Sequence, residues 1–170
     1  TYKQAFFEGF VSEKTYKGCA QCALNAMFAM DGKIDKPLFQ AASGLSGGMA
    51  ITGDGVCGGY SGGILYTSSL SGRRYDEMLV DGDKDEQYNS YEMAQFLHDR
   101  FVDCYGSVIC SDIHREIFDG QAYCLRTKPV REAFEEAGAH KDKCTAVVAN
   151  ACVWIVEAIE HVGLQDRRGA

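Results

Sequence analysis

The chain has 170 residues, with 17 Lys and Arg against 24 Asp and Glu, and a formal net charge of −7. A negative charge argues against a nucleic-acid-binding surface, and this length suits one domain, residues 1–170, that buries roughly 70% of its unfolded surface. No apolar run approaches 18 residues, so we expect no membrane span.

Apolar residues recur at helical spacing along most of the chain, and alternating strand patterns are nearly absent. The predicted helical segments in chain order are 2–11, 18–30, 37–44, 62–70, 85–104, 107–118, 129–138 and 143–162, with a solvated loop over 73–86. The last helix has the widest apolar face, which places it at the centre of the fold. The sequence therefore predicts an all-α, single-domain bundle of about six to eight helices.

An irregular segment interrupts this pattern, with nine glycines between Gly44 and Gly63. Residues 53–58 match GxGxxG in form, but the dinucleotide fingerprint requires a preceding strand and a βαβ unit, which this chain does not offer. These glycines favour tight turns and close helix packing. A functional alternative is that the glycines allow backbone N–H groups to approach a bound anionic sulfur or cluster.

Eight cysteines are several times ordinary usage for a chain of this length. An even count is compatible with four disulfides in a secreted protein, but disulfide frameworks are typical of small, loop-rich chains that lack a core. We therefore expect reduced, functional cysteines in a cytoplasmic protein of an anaerobic organism. A periplasmic location is the alternative if Thr1 is a processed N-terminus.

Four of the cysteines follow favoured N-cap residues by one to three positions. They are Cys19 after Gly18, Cys57 after Asp54, Cys110 after Ser107 and Cys144 after Asp142. A helix N-terminus carries unpaired N–H groups and a positive dipole end, which lowers the pKa of a thiol and favours the thiolate. The sequence predicts that these four are the functional set and that they converge in space.

The other four cysteines do not share this position. Cys22 lies one turn further into its helix, and Cys124 lies in a predicted loop. Cys104 and Cys152 are expected to be buried packing residues. Cys19 and Cys22 form a CxxC without the following His that c-type haem attachment requires, so we expect no haem. Cys110 and His114 share a helix face, compatible with a Cys–His nucleophile, a metal pair or simple packing.

The order of these motifs resembles the C_GCAxxG_C_C family, small bacterial and archaeal proteins with an assigned redox role. The resemblance rests on residues 19–21, 57–62 and 106–110 and on Cys144 followed by Val147 and Val148. It runs from about residue 18 to residue 158. It implies that Cys19, Cys57, Cys110 and Cys144 are the functional cysteines, with Gly58, Gly59 and Gly62 as the cofactor-binding glycines. A similar domain in split-Soret cytochromes c is associated with an iron–sulfur centre, which implies a [2Fe–2S] cluster here.

Three functions remain open at this point. The leading hypothesis is a protein that holds an iron–sulfur cluster and passes electrons to a partner protein, since thiolates are the usual cluster ligands. The second is a cofactor-free thiol–disulfide oxidoreductase in which Cys57 attacks and another of the four resolves. The third is a structural zinc site, although zinc ligands typically occur as closely spaced pairs. A homodimer is an open alternative for the assembly.

Overall fold

The structure, a computed structural model, describes residues 1–80 and 82–164. Over these ranges it contains nine α-helices and no strand, which confirms the all-α class. The helices are α1 (Tyr2–Tyr16), α2 (Cys19–Asp31), α3 (Lys36–Ala41), α4 (Gly58–Leu70), α5 (Tyr75–Met78), α6 (Asp85–Tyr105), α7 (Cys110–Ile117), α8 (Lys128–Glu136) and α9 (Cys144–His161). A 3₁₀ turn covers Ser43–Leu45, and a π-helical turn, Ala139–Lys143, leads directly into α9.

Helix α9 is the centre of the bundle, as predicted, and packs against α1, α2, α4 and α6. Its inner face is apolar, and residues such as Val148, Cys152 and Ile155 are completely buried. Helix α1 approaches it closely at Gly9, where an added Cβ would lie 2.8 Å from the Sγ of Cys152. Burial of this apolar face is the main source of stability for the helix.

The continuous helical segment Ala139–His161 is 23 residues long and apolar enough to cross a membrane by length and composition. The expectation from the sequence that no segment spans a membrane stays a prediction. Within the fold, 56% of its most apolar window is buried. A core helix of a bundle has the same composition, because it too is surrounded by apolar side chains.

Two helix ends follow ordinary capping chemistry. The Asp35 side chain accepts a hydrogen bond from the Leu38 N–H (2.9 Å) and caps α3. Gly106 ends α6 in the left-handed conformation, with φ of 77°. Both ends confirm that local capping residues set these boundaries.

Other boundaries differ from the prediction. Helix α4 begins at Gly58 rather than at residue 62, and α7 begins at Cys110 because Ser107 forms a turn, its Oγ accepting from the Ile109 N–H (3.0 Å). Helix α5 lies within the predicted loop 73–86, of which Asp81 lies outside the described residues. Its Glu77 side chain accepts from the Arg74 N–H (2.9 Å), a local contact that stabilises the turn.

Candidate functional site

The four predicted cysteines lie at or beside the starts of four different helices. Cys19 and Cys110 are the first residues of α2 and α7, and Cys57 is the N-cap residue of α4. Cys144 follows the π-helical turn, and its N–H is bonded to the Ala139 carbonyl. Its N–H is therefore not a free group of a helix N-terminus.

Three of the predicted capping residues do not cap a helix. Ser107 accepts from the Ile109 N–H ahead of α7, whose N-cap residue is Ile109. No side-chain hydrogen bond caps α4, and the Asp54 N–H instead bonds to the Thr52 Oγ1 (3.3 Å). Asp142 lies inside the π-helical turn rather than ahead of a helix. The cap argument therefore assigned the wrong capping contact at Cys57, Cys110 and Cys144, and the functional role of the four cysteines stays a prediction.

A single antiparallel bridge holds the Cys57 and Cys110 segments together. It pairs Val56 with Ile109. The Cys57 N–H donates to the Val108 carbonyl (2.8 Å), and the Cys110 N–H donates to the Gly55 carbonyl (2.9 Å). Residues more than fifty positions apart in the chain are thereby fixed side by side.

All four cysteines line one cavity of about 660 Å³. Apolar side chains form much of its wall, among them Ile51, Ile113, Leu125, Phe134, Val147 and Val148. Cys57 and Cys110 are 7% and 5% exposed, whereas Cys19 and Cys144 are half-buried. This shared cavity is the arrangement that a common role of the four thiols requires.

The acidity of these thiols is opposite to the prediction. Burial, with a smaller contribution from the charge of Glu13, raises the pKa of Cys19 to about 11. Burial and the nearby Cys19 raise the pKa of Cys110 to about 12. The pKa values of Cys57 and Cys144 are raised well above their ordinary value, first by burial and then by neighbouring cysteines. Desolvation therefore outweighs the helix N-termini and favours the protonated form of all four thiols.

Hydrogen-bond donors nevertheless point at three of the sulfurs. The Gly47 N–H donates to the Sγ of Cys19 (3.4 Å), and the Gly59 and Tyr60 amides lower the pKa of Cys57 against the dominant effect of burial. The Nε2 of His114 lies 3.5 Å from the Sγ of Cys110. Such donors stabilise negative charge on sulfur and oppose the effect of burial.

The glycine-rich segment covers part of the cavity by an unusual backbone path. Five consecutive residues, from Gly47 to Ile51, have φ between 49° and 70° and form a left-handed turn. Three of them, Met49, Ala50 and Ile51, are not glycine. Left-handed conformation costs such residues about 1–2 kcal/mol each, so the surrounding contacts must hold the turn in place.

Close packing explains why glycine occupies the three positions that were predicted to bind a cofactor. An added Cβ at Gly58 would lie 2.1 Å from the Sγ of Cys19, and one at Gly59 would lie 3.8 Å from the Sγ of Cys57. Gly62 instead packs on α2, where a Cβ would lie 2.5 Å from the Ala20 carbonyl oxygen. Gly58 and Gly59 thus adjoin the site sulfurs, while Gly62 serves the α2–α4 contact. A cofactor-binding role for the three glycines stays a prediction.

The remaining cysteines divide by burial. Cys22 and Cys152 are buried, in keeping with the expectation for Cys152, while Cys124 is exposed outside the helices. Cys104 is also exposed, so its prediction as a packing residue is wrong. It lies in the last turn of α6 at the same helical spacing as Met93, Leu97 and Phe101, all of which are fully buried, so the buried stripe ends before it.

The sequence reasoning missed a polar network at one wall of the cavity. His140 bridges two carboxyl groups, with its Nδ1 2.6 Å from Glu135 Oε1 and its Nε2 3.2 Å from Glu13 Oε1. Lys17 donates to the same Glu135 oxygen (2.9 Å). Burial lowers the pKa of His140, but the hydrogen bonds and charges of Glu13 and Glu135 outweigh it, so the pKa is raised. None of these residues belongs to a motif in the sequence, and Glu13 lies beyond the predicted end of the first helix at residue 11.

Residues 18–158 match the family model described as "Putative redox-active protein (C_GCAxxG_C_C)". The chain belongs to the C_GCAxxG_C_C family. The matched region contains all four cavity cysteines and the whole glycine-rich segment. No curated protein and no solved structure matches the chain. Membership in this C_GCAxxG_C_C family establishes a redox-active protein as the class, and the four-thiol cavity is the candidate location of that activity.

Proposed function

We propose that this protein binds a [2Fe–2S] cluster through Cys19, Cys57, Cys110 and Cys144 and transfers electrons to a partner protein. The observation that carries the proposal is the shared cavity, to which four separate segments each contribute one thiol. Such a cluster, when bound, takes up and releases one electron. The chain's own part is to hold it and to set its surroundings.

The donor set fits a cluster. Four thiols are the usual ligand number, and N–H groups from Gly47 and His114 already point at two of the sulfurs. The absence of a side chain at Gly58 leaves the sulfur of Cys19 uncovered on that side, because a Cβ there would lie 2.1 Å from it. Burial disfavours the free thiolates, so a cationic iron centre would supply the missing compensation.

The arrangement gives less support to a single zinc ion. Among the residues that the structure describes, no three His, Cys, Asp or Glu side chains are grouped to hold one metal ion. A structural zinc site brings its ligands within about 2.3 Å of one point, whereas a cluster spreads its ligands over two irons. Four thiols around a cavity of about 660 Å³ therefore favour the larger group.

A cofactor-free enzyme with Cys57 as nucleophile also has less support. Cys57 is 7% exposed, and burial raises its pKa well above the ordinary value. A reactive cysteine typically lies in an accessible, electropositive setting with a lowered pKa. We place the cluster-binding protein in the cytoplasm, where thiols stay reduced.

Purification without oxygen tests this proposal. We expect a coloured protein with visible absorbance and about two irons and two sulfides per chain, and an electron paramagnetic resonance signal after reduction. Reconstitution of the purified chain with ferrous iron and sulfide should give the same spectrum. A colourless, iron-free protein that also fails to take up iron and sulfide would overturn the proposal.

A further inference from the structure

Part of the cavity wall contains none of the four cysteines. This part, which we call the α8 end, is lined by Ile51, Leu125, Lys128, Arg131 and Phe134. The backbone of Leu125 ties its segments together, because its N–H donates to the Ile51 carbonyl oxygen (2.9 Å) and its own carbonyl oxygen accepts from Arg131 (2.9 Å). The glycine-rich segment, the loop before α8 and α8 itself therefore meet at one place.

The inner surface of the α8 end is apolar. Phe134 is 4% exposed, and its ring centroid lies 5.5 Å from that of Phe118. Leu125 is half-buried against these rings, and Ile51 keeps 37% of its surface exposed. A cavity of about 660 Å³ falls within the range of about 300–1,000 Å³ that is typical of small-molecule sites. Such walls favour a ligand that has a hydrocarbon part, because its burial removes apolar surface from water.

Arg131 is held in place by backbone carbonyls rather than by a carboxylate. Its Nη1 donates to the carbonyl oxygens of Leu125 and Arg126, at 2.9 and 3.1 Å. The guanidinium carries further N–H groups on Nη2 and Nε. Among the described residues, none accepts a hydrogen bond from these groups and none forms an ion pair with Arg131. The side chain is thus oriented beside the cavity with donors to spare.

Over the described ranges, the other cationic groups of the cavity wall face acidic partners. The pairs are Lys17 with Glu135 (2.9 Å), Lys128 with Glu132 (3.7 Å) and His140 with Glu13 (3.2 Å). Glu136 also lines the cavity, but on α8 it follows Arg131 by five positions, about 140° around the helix and about 7.5 Å along its axis. The two side chains leave α8 on different sides, so Arg131 remains available to an anion.

From these contacts, we propose that the α8 end binds an organic carboxylate with a hydrocarbon tail. The carboxylate is bound by Arg131, whose planar guanidinium matches two carboxylate oxygens. The tail lies against Ile51, Leu125 and Phe134, in the same cavity as the four thiols. This binding site goes beyond the proposed cluster and does not depend on it, because the residues that hold the ligand are not those that would hold iron.

Isothermal titration calorimetry with octanoate tests the site. The full chain is used as purified without oxygen and again after chelator treatment, and we expect saturable binding to both. Octan-1-ol, which has the tail without the charge, and octylamine, which reverses the charge, should each bind at least tenfold more weakly. Hexanoate should bind about tenfold more weakly than octanoate, since it lacks two buried methylene groups.

Substitutions separate the carboxylate contact from the tail contact. Arg131→Gln should weaken octanoate binding about tenfold or more and leave octan-1-ol binding unchanged. The matched control is Arg126→Gln, because the Arg126 side chain is exposed, does not line the cavity and keeps its carbonyl group in the variant. It should bind octanoate like the wild-type chain. Ile51→Ser should weaken octanoate and octan-1-ol alike, because it removes apolar wall.

The proposal is wrong if octan-1-ol binds as tightly as octanoate, if Arg131→Gln and Arg126→Gln lose affinity equally, or if millimolar octanoate shows no saturable binding. If circular dichroism shows that Arg131→Gln does not fold, the comparison of octanoate with octan-1-ol on the unaltered chain decides alone. The iron and sulfide analysis measures a different property of the same protein, so failure of the cluster and failure of this site are distinguishable.

Discussion

His114 Nε2 lies 3.5 Å from Cys110 Sγ while its other ring nitrogen, Nδ1, accepts a hydrogen bond from the Tyr123 N–H (3.2 Å). The backbone donor requires Nδ1 to be the unprotonated nitrogen, so Nε2 carries the hydrogen and donates it to the sulfur. His114 is 3% exposed, and Phe118 and Phe134 pack around its ring. The imidazole is therefore a neutral donor to Cys110, not a base for it.

This setting makes stability depend on pH. Burial lowers the pKa of His114 to about 4 from its ordinary 6.5. The unfolded chain binds the proton more readily, so stability rises with pH between about 4 and 6.5 and is lost as the pH falls. The contribution is on the order of 3 kcal/mol. Urea unfolding at pH 4.5 and 7 measures the change in unfolding free energy between the two pH values. This change should be smaller in His114→Gln than in the wild-type protein.

The matched control is His98→Gln, since His98 is exposed beside Asp99. It should leave the pH dependence of the wild-type protein unchanged. An equal pH dependence in wild type and His114→Gln would contradict the assigned burial and tautomer of His114.

Replacement of each cavity cysteine tests the shared site. If one cluster is bound, Ser at Cys19, Cys57, Cys110 or Cys144 removes one ligand of the same coordination shell, so each variant should lose or alter visible absorbance. A single variant that keeps part of its iron agrees with this prediction, because the Ser oxygen or Cys22 can substitute as ligand. Iron analysis and absorbance of the anaerobic proteins provide the measurement.

Cys104→Ser is the control for these replacements, because Cys104 is exposed and away from the cavity lining. It should retain full iron content. If two of the four variants kept wild-type spectra, the four thiols would not share one shell.

Gly58→Ala should damage the cysteine site directly. The new Cβ would lie 2.1 Å from the Sγ of Cys19 and 2.7 Å from the Ala20 nitrogen, and the second of these is backbone that cannot move alone. We expect a loss of about 1–3 kcal/mol in unfolding free energy and a larger fractional loss of bound iron. Denaturant unfolding and iron analysis on the same samples check both.

Gly44→Ala is a control within the same glycine-rich segment. An added Cβ at Gly44 meets no atom within 4 Å, and its φ is not positive. This variant should keep iron content and stability. Equal damage from both replacements would mean that the segment is sensitive to any side chain rather than to contact with Cys19.

For the left-handed turn over residues 47–51 we expect a substitution to increase stability rather than reduce it. Ala50 is exposed with φ of 49°, so Ala50→Gly removes backbone strain and little packing. We expect a gain of about 1 kcal/mol in unfolding free energy. Ala133→Gly, at an exposed interior position of α8, should instead lose about 1 kcal/mol. Thermal or urea unfolding of the pair distinguishes relief of strain from a general glycine effect, and a loss of stability in both would refute the strain.

The sequence by itself determined the all-α class and the central last helix, and it singled out four cysteines that the structure brings to one cavity. These follow from local signals, because helical periodicity and residue spacing are properties of neighbouring residues. Local capping residues set the start of α3 at Asp35 and the end of α6 at Gly106, where one side chain or one φ angle decides the end. The capping prediction failed at Asp54, Ser107 and Asp142.

Only the tertiary structure decided the chemistry of the site. The bridge between Val56 and Ile109 and the convergence of four helices place the thiols in one cavity, and this burial reverses the predicted direction of their pKa values. The contacts of Glu13 with His140 join residues 127 positions apart. Desolvation and pairing of charges depend on which segments meet in space, and spacing along the chain does not contain that information.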